Sequence, residues 1–175
     1  MLPFEKTEYQ HREKRIKKSM EAQGIEVLFV TDPANMNYIT GYDALSYYVP
    51  QGVIVSSYLK EPICIIRQQD VYCALHTTWM SKESIIPYPD KYLWEPKVLH
   101  VMDFVGDVLR EKGLHNKRIG VELDSYYFNA HWYHRLEKSL PDAELVDATS
   151  LVNWIRGQKS TKELEYMQIA ARIVE

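Results

Sequence analysis

A chain of 175 residues, 46% hydrophobic and 26% charged, is long enough to bury a proper core and too apolar to be disordered. Its formal charge of −3 supplies no basic face for nucleic acid. The N-terminus turns polar almost at once, no apolar run approaches the ~20 residues that span a bilayer, and Cys64 and Cys73 form no CxxC pair, so the sequence reads as a reduced, cytoplasmic protein with neither nucleic acid nor membrane as partner.

Residues 5–23 are charged, with Tyr9, Ile16 and Met20 on one helical face and Gly24 in place to end the helix. The basic run at 11–18 is interleaved with Glu13 and Ile16 and reads as a solvated helix face. Residues 27–31, apolar and β-branched, predict a strand covered on both sides. Residues 32–35, Asp-Pro-Ala-Asn, carry turn chemistry. Residues 53–57 and 63–67 predict two further strands joined by a turn, with Cys64 as a small buried hydrophobe. Residues 98–113 predict a helix with Val98, Val101, Met102, Val105 and Leu109 as its stripe and Pro96 near its first turn. Residues 118–123 predict a strand, Ser125 a cap for a helix presenting Phe128, Trp132 and Leu136, and residues 144–148 a short last strand. This alternation predicts an α/β domain with a largely buried sheet and helices on both sides. Ser160 and Glu163 then form a capping box that opens a helix striped by Leu164, Met167, Ala171 and Val174. No stop signal precedes Glu175, so the helix reads as cut and the chain as the front of a longer protein: a domain at 1–155, then a linker and a helix start at 156–175.

The chemistry within reach is sparse. His131 and His134 stand three apart on a helix, as two ligands of one metal do, but no third ligand of matching geometry follows. Glu122 and Asp124 close a strand, where acid–base work and simple turn chemistry compete. No HExxH, GxSxG, Walker or GxGxxG motif occurs. Aromatic residues gather in three connections instead: Tyr42, Tyr47 and Tyr48; Trp79; and Tyr88, Tyr92 and Trp94. Such clustering points to a binding or docking face.

Two motifs in the right order resemble a known family. Residues 32–42, "DPANMNYITGY", resemble the Pro-x-Asn-x-x-Tyr-Leu/Ile-Thr-Gly signature of the creatinase/prolidase front domain. Residues 146–167, "VDATSLVNWIRGQKSTKELEYM", resemble the stretch that joins it to the catalytic domain. Within the family, residues 41–55, 61–79 and 88–92 look most like ectoine hydrolases and their uncharacterised dipeptidase-like relatives. The creatinases proper carry an aromatic-Gly-Arg stretch where this chain has Tyr48-Val49-Pro50, which argues against creatine as substrate.

The resemblance implies a three-layer α/β/α fold with a mixed, mostly buried sheet and a ribonuclease H-like motif. It also implies a C-terminal pita-bread catalytic domain whose Asp, Asp, His, Glu and Glu hold two divalent ions (Mn, Co or Zn), none of which can be matched here. The chain itself is then a non-catalytic domain without a cofactor. Its partners are its own catalytic domain, a second copy in a homodimer, and a small-molecule or dipeptide substrate. The substrate-binding candidates are Tyr47, Tyr48 and Gln51 as pocket wall, with Arg67 for an anionic group or as one half of an exposed ion pair. A stand-alone module that binds a small ligand or a protein is the alternative.

Overall fold

The computed structural model describes residues 2–43, 48–94 and 98–174 of the chain. In chain order the elements are α1 (Lys6–Ala22), β1 (Val27–Val30), α2 (Pro33–Thr40), β2 (Gly52–Ser56), β3 (Ile63–Arg67), α3 (Val71–Thr77), β4 (Ile85–Tyr88), α4 (Lys91–Trp94), α5 (Val101–Glu111), β5 (Arg118–Val121), α6 (Ala130–Ser139), β6 (Glu144–Asp147), α7 (Leu151–Gly157) and α8 (Thr161–Val174). The strands form one mixed sheet in the order β4-β3-β2-β1-β5-β6. Strand β2 is antiparallel to both β1 and β3, whereas β1–β5, β3–β4 and β5–β6 are parallel. Strands β1, β3, β4, β5 and β6 therefore end on one rim of the sheet, the rim from which β2 starts.

Strand side chains alternate between two cores, as a period of two requires. Leu28, Val30, Val53, Val55, Cys64 and Ile66 pack under α1, α2 and α7, against Ile16, Met20, Met36, Ile39, Leu151 and Val152. Val27, Phe29, Ile54, Ile63, Ile65, Ile119 and Val121 pack under α5 and α6, against Val101, Met102, Val105, Leu109 and Leu136. The result is the three-layer α/β/α arrangement. Cys64 is a core residue, and burial pushes its thiol up to about 12. No helix among the described residues is long and apolar enough to cross a membrane.

Four local readings are corrected. Residues 32–35 open a helix instead of a turn: the Asp32 carboxylate accepts from the amides of Ala34 and Asn35, with Pro33 at the first helical position. Asp-Pro suits a turn and a helix start equally, and only the packing of Met36 and Ile39 decides. That helix closes on Gly41 at φ +80°, where a Cβ would lie 2.7 Å from the Thr77 carbonyl oxygen. Helix α5 begins at Val101, because His100 caps it, and Val98 is exposed before it; Pro96 lies outside the described residues. Helix α6 is capped by Asn129, which accepts from the Trp132 amide at 3.1 Å, whereas Ser125 accepts from the Tyr127 amide in the preceding turn. The run at 11–18 is not wholly solvated, for Arg12 and Glu13 are buried.

Candidate functional site

The rim where β1, β3, β4, β5 and β6 end collects the polar chemistry of the domain. In open α/β sheets such a rim is where ligands sit, because connections diverge there and leave backbone groups to face a crevice. A cleft of about 430 Å³ opens on it, lined in part by Asp32, Asn37, Tyr42, Asp43 and Arg156. A smaller polar hollow of about 90 Å³ adjoins it at Asn35, Glu122, Thr149 and Asn153. A larger cleft, about 680 Å³, is lined by Lys14, Lys17, Lys18 and Gly24–Glu26. It lies at the opposite end of β1, away from these groups.

The sequence-predicted residues Tyr48, Gln51 and Arg67 come together on this rim; Tyr47 lies outside the described residues. Arg67 ends β3, and its Nε and an Nη donate to the two oxygens of Asp70 at 3.1 and 2.9 Å. That carboxylate raises the Arg67 pKa, burial opposes the shift, and a hydrogen bond with Tyr48 adds to it. Tyr48 is 77% exposed, a ring held out to solvent beside a cation. Gln51 is the reverse: it is buried, its Oε1 accepts from the Tyr42 hydroxyl at 3.3 Å, and its Nε2 has no partner among the described residues. Tyr88, paired with Arg67 across β3–β4, donates from its hydroxyl to the Pro50 carbonyl at 2.7 Å.

The wider aromatic face dissolves on inspection. Tyr42 and Tyr88 are core residues, and burial holds both hydroxyls well above the usual phenol range. Trp79 is buried and its indole N–H donates to the Ile39 carbonyl at 2.9 Å. Tyr92 packs edge-on against Phe104. Of the predicted rings among the described residues, Tyr48 and Trp94 are the ones left outside.

Beside this cluster lies a network that spacing could not reveal. Glu122 is buried at the end of β5. One of its oxygens accepts from the amides of Thr31 and Asp32 at 2.7 and 2.8 Å, the other from Asn35 Nδ2 at 2.6 Å. Asn35 Nδ2 also donates to Asn153 Oδ1 at 2.7 Å, and its Oδ1 accepts from the Arg156 guanidinium at 2.8 Å. Burial raises the Glu122 pKa, and the three donors pull against that without overcoming it. Both Glu122 oxygens are held by structural donors of the fold, which gives the side chain a structural role at the strand end. Asp124 is exposed at the edge of the same hollow, and its amide donates to Thr149 Oγ1 at 3.2 Å. The network ties the asparagine of the 32–42 motif to the arginine of the 146–167 motif.

The two α6 histidines do not share a ligand. His131 meets the His100 ring edge-on at 5.0 Å, while His134 faces Glu137 at 3.4 Å. Among the described residues no three His, Cys, Asp or Glu side chains converge on a metal position, so these residues do not fit a metal centre.

Comparison with known proteins matches this geometry to a lineage. Residues 12–158 match the Creatinase/Prolidase N-terminal domain. The chain is 42% identical to an ectoine hydrolase of Halomonas elongata over 99% of its own length and 43% of the relative's. It is 43% identical to an uncharacterised hydrolase/peptidase of Sinorhizobium fredii, over 100% of its own length and 44% of the relative's. Thus it spans less than half of these curated relatives. Among solved structures, a dipeptidase from Pyrococcus horikoshii superposes with a TM-score of 0.71 at 16% identity, over 93% of this chain and 41% of that one.

Proposed function

Since the chain belongs to the Creatinase/Prolidase N-terminal domain family, we propose that it is the non-catalytic front domain of a longer C–N bond hydrolase, ectoine hydrolase-like or Xaa-Pro dipeptidase-like. The observation that carries this reading is the near-complete alignment of the chain with less than half of an ectoine hydrolase. In that reading the remaining half holds the two divalent ions, whose chemistry is to generate hydroxide and polarise the scissile bond. The front domain walls the substrate. Tyr47 and Tyr48 supply apolar surface, Gln51 a donor and Arg67 a positive charge at the rim. The whole works as a cytoplasmic homodimer, with the 42–51 connection reaching the partner's active site.

The chain alone should show no turnover of ectoine, Xaa-Pro dipeptides or creatine in the presence of Mn, Co or Zn. Activity above a heat-killed control and proportional to protein concentration would return the chemistry to this domain and sink the proposal. The site reading is tested on the same chain continued by a catalytic half. Tyr48→Ala there should raise KM roughly tenfold at nearly constant kcat, from loss of about 1.4 kcal/mol of uniform binding. Folding should be unchanged, because the ring is exposed. If KM stays at the wild-type value and the variant loses oligomerisation instead, the connection is a subunit contact and not a pocket wall.

A further inference from the structure

Besides their direct contact, the two motifs are bridged by a residue that belongs to neither. Arg12 on α1 is 3% exposed. Its guanidinium lies over the ring of Phe4 at 4.1 Å and over that of Tyr38 at 4.5 Å. Nε donates to Glu8 at 3.2 Å, one Nη to the Tyr38 carbonyl at 3.3 Å, and the other to Glu163 Oε1 at 3.1 Å. All three nitrogens are engaged, with partners on α1, α2 and α8. A planar fork that stacks while it donates in three directions is a task for arginine and not for lysine.

Glu163 uses its second oxygen locally. Oε2 accepts from the Ser160 amide at 2.8 Å, and Ser160 Oγ accepts from the Glu163 amide at 3.2 Å. One carboxylate therefore both starts α8 and attaches it to the domain. Two further contacts act with it. Arg15 donates to the Ile155 carbonyl and to Gln158 Oε1, each at 3.0 Å. The Tyr166 hydroxyl donates to the Pro3 carbonyl at 2.6 Å, and its ring meets Phe4 edge-on.

Helix α8 has no buried residue of its own, and Leu164, Met167 and Val174 stay exposed. A helix of 14 residues is marginal in water without tertiary support. Its order must therefore come from these polar and aromatic attachments. The strongest is the Arg12–Glu163 pair, whose side chains are 4% and 15% exposed and so are weakly screened by salt.

We infer that Arg12 is a pin that fixes the direction in which α8 leaves the domain, so that the helix presents its apolar stripe at one angle and does not swing on residues 158–160. The inference rests on contacts within this chain and stands apart from the hydrolase reading. Hydrogen exchange of this chain, read by peptide, tests it. Glu163→Gln is the discriminating variant, since glutamine keeps the capping box and removes the charge on Arg12's partner. It should speed exchange in 164–174 about fivefold, and Arg12→Gln tens of times, with the sheet peptides unchanged. Glu8→Gln, which removes an Arg12 partner within α1, should leave α8 protected. The pin is overturned if α8 in Glu163→Gln exchanges as in the wild type, or if wild-type α8 already exchanges like a free peptide. Should Arg12→Gln fail to fold, Glu163→Gln decides alone.

Discussion

Replacing Glu122 with alanine should destabilise the domain by about 3–5 kcal/mol, the usual cost of removing one member of a buried, charge-assisted network. The loss follows from what is left behind. The amides of Thr31 and Asp32 and the Asn35 side chain all donate to Glu122, and among the described residues only Asn35 keeps a second acceptor, Asn153. At about 2–4 °C per kcal/mol for a domain of this size, the midpoint of thermal unfolding should fall by roughly 6–20 °C. Glu122→Gln should cost about 2–3 kcal/mol, for a reason that shape alone does not supply. An amide can accept from Thr31 and Asp32 through its oxygen, but its NH2 then faces the NH2 of Asn35. Turning Asn35 over to relieve that contact presents donors to Arg156 and an acceptor to Asn153 Oδ1. A Glu122→Gln midpoint within about 0.5 kcal/mol of wild type, well inside surface-substitution behaviour, would show that the carboxylate is dispensable.

Acidification should release the start of α5. His100 caps that helix through a neutral ring: its Nδ1 accepts from the Met102 amide at 3.1 Å, and the Asp103 carboxylate answers on the His100 amide at 3.0 Å. Burial first, then His131 and Arg135, lower the His100 pKa to about 4, with Asp103 opposing. The unfolded chain thus takes up the proton near 6.5 and the folded one near 4. Stability contributed by the neutral ring is complete above about pH 6.5 and is lost as pH falls towards 4, amounting to about 2–3 kcal/mol. Glu122 carries the opposite sign, because its raised pKa makes the fold hold that proton more tightly and its contribution falls as pH rises above the ordinary 4.5. The clean measurement is therefore a difference: urea unfolding of wild type against His100→Asn, at several pH values from 7.5 to 4. Asparagine caps without titrating. The wild type should lose its advantage over the variant through that window; parallel pH profiles would mean that His100 does not titrate with unfolding.

The sheet was legible in the sequence wherever burial on both faces left unbroken apolar runs, as in β1, β3 and β5. Strand β4 escaped because Pro87 sits inside it, and a proline argues against a strand unless the strand is an edge. Helix α2 escaped because Asp32 and Pro33 are as fit for a turn as for a helix start. The rim cluster was partly legible: Arg67 and Asp70 are three apart and pair locally. The burial of Gln51 depends on Tyr42 and was not. Arg12 is the sharpest case. Its charged neighbours Lys14, Lys17 and Lys18 mark a wet surface, but its partners Tyr38 and Glu163 lie 26 and 151 residues away in sequence. No local pattern signals that one charge in a run is turned inward.

The strand order also bears on how copies of this domain can meet. Its outer strands are β4 and β6, each four residues long. Proline 87 removes a donor from the first, and the second begins and ends on the carboxylates of Glu144 and Asp147. Short, charge-flanked or proline-interrupted edges are poor templates for strand addition. Fibril-like stacking and a continuous sheet across two subunits are both disfavoured, so a contact between copies would have to use helices and connections, where side chains and not backbone ladders choose the partner.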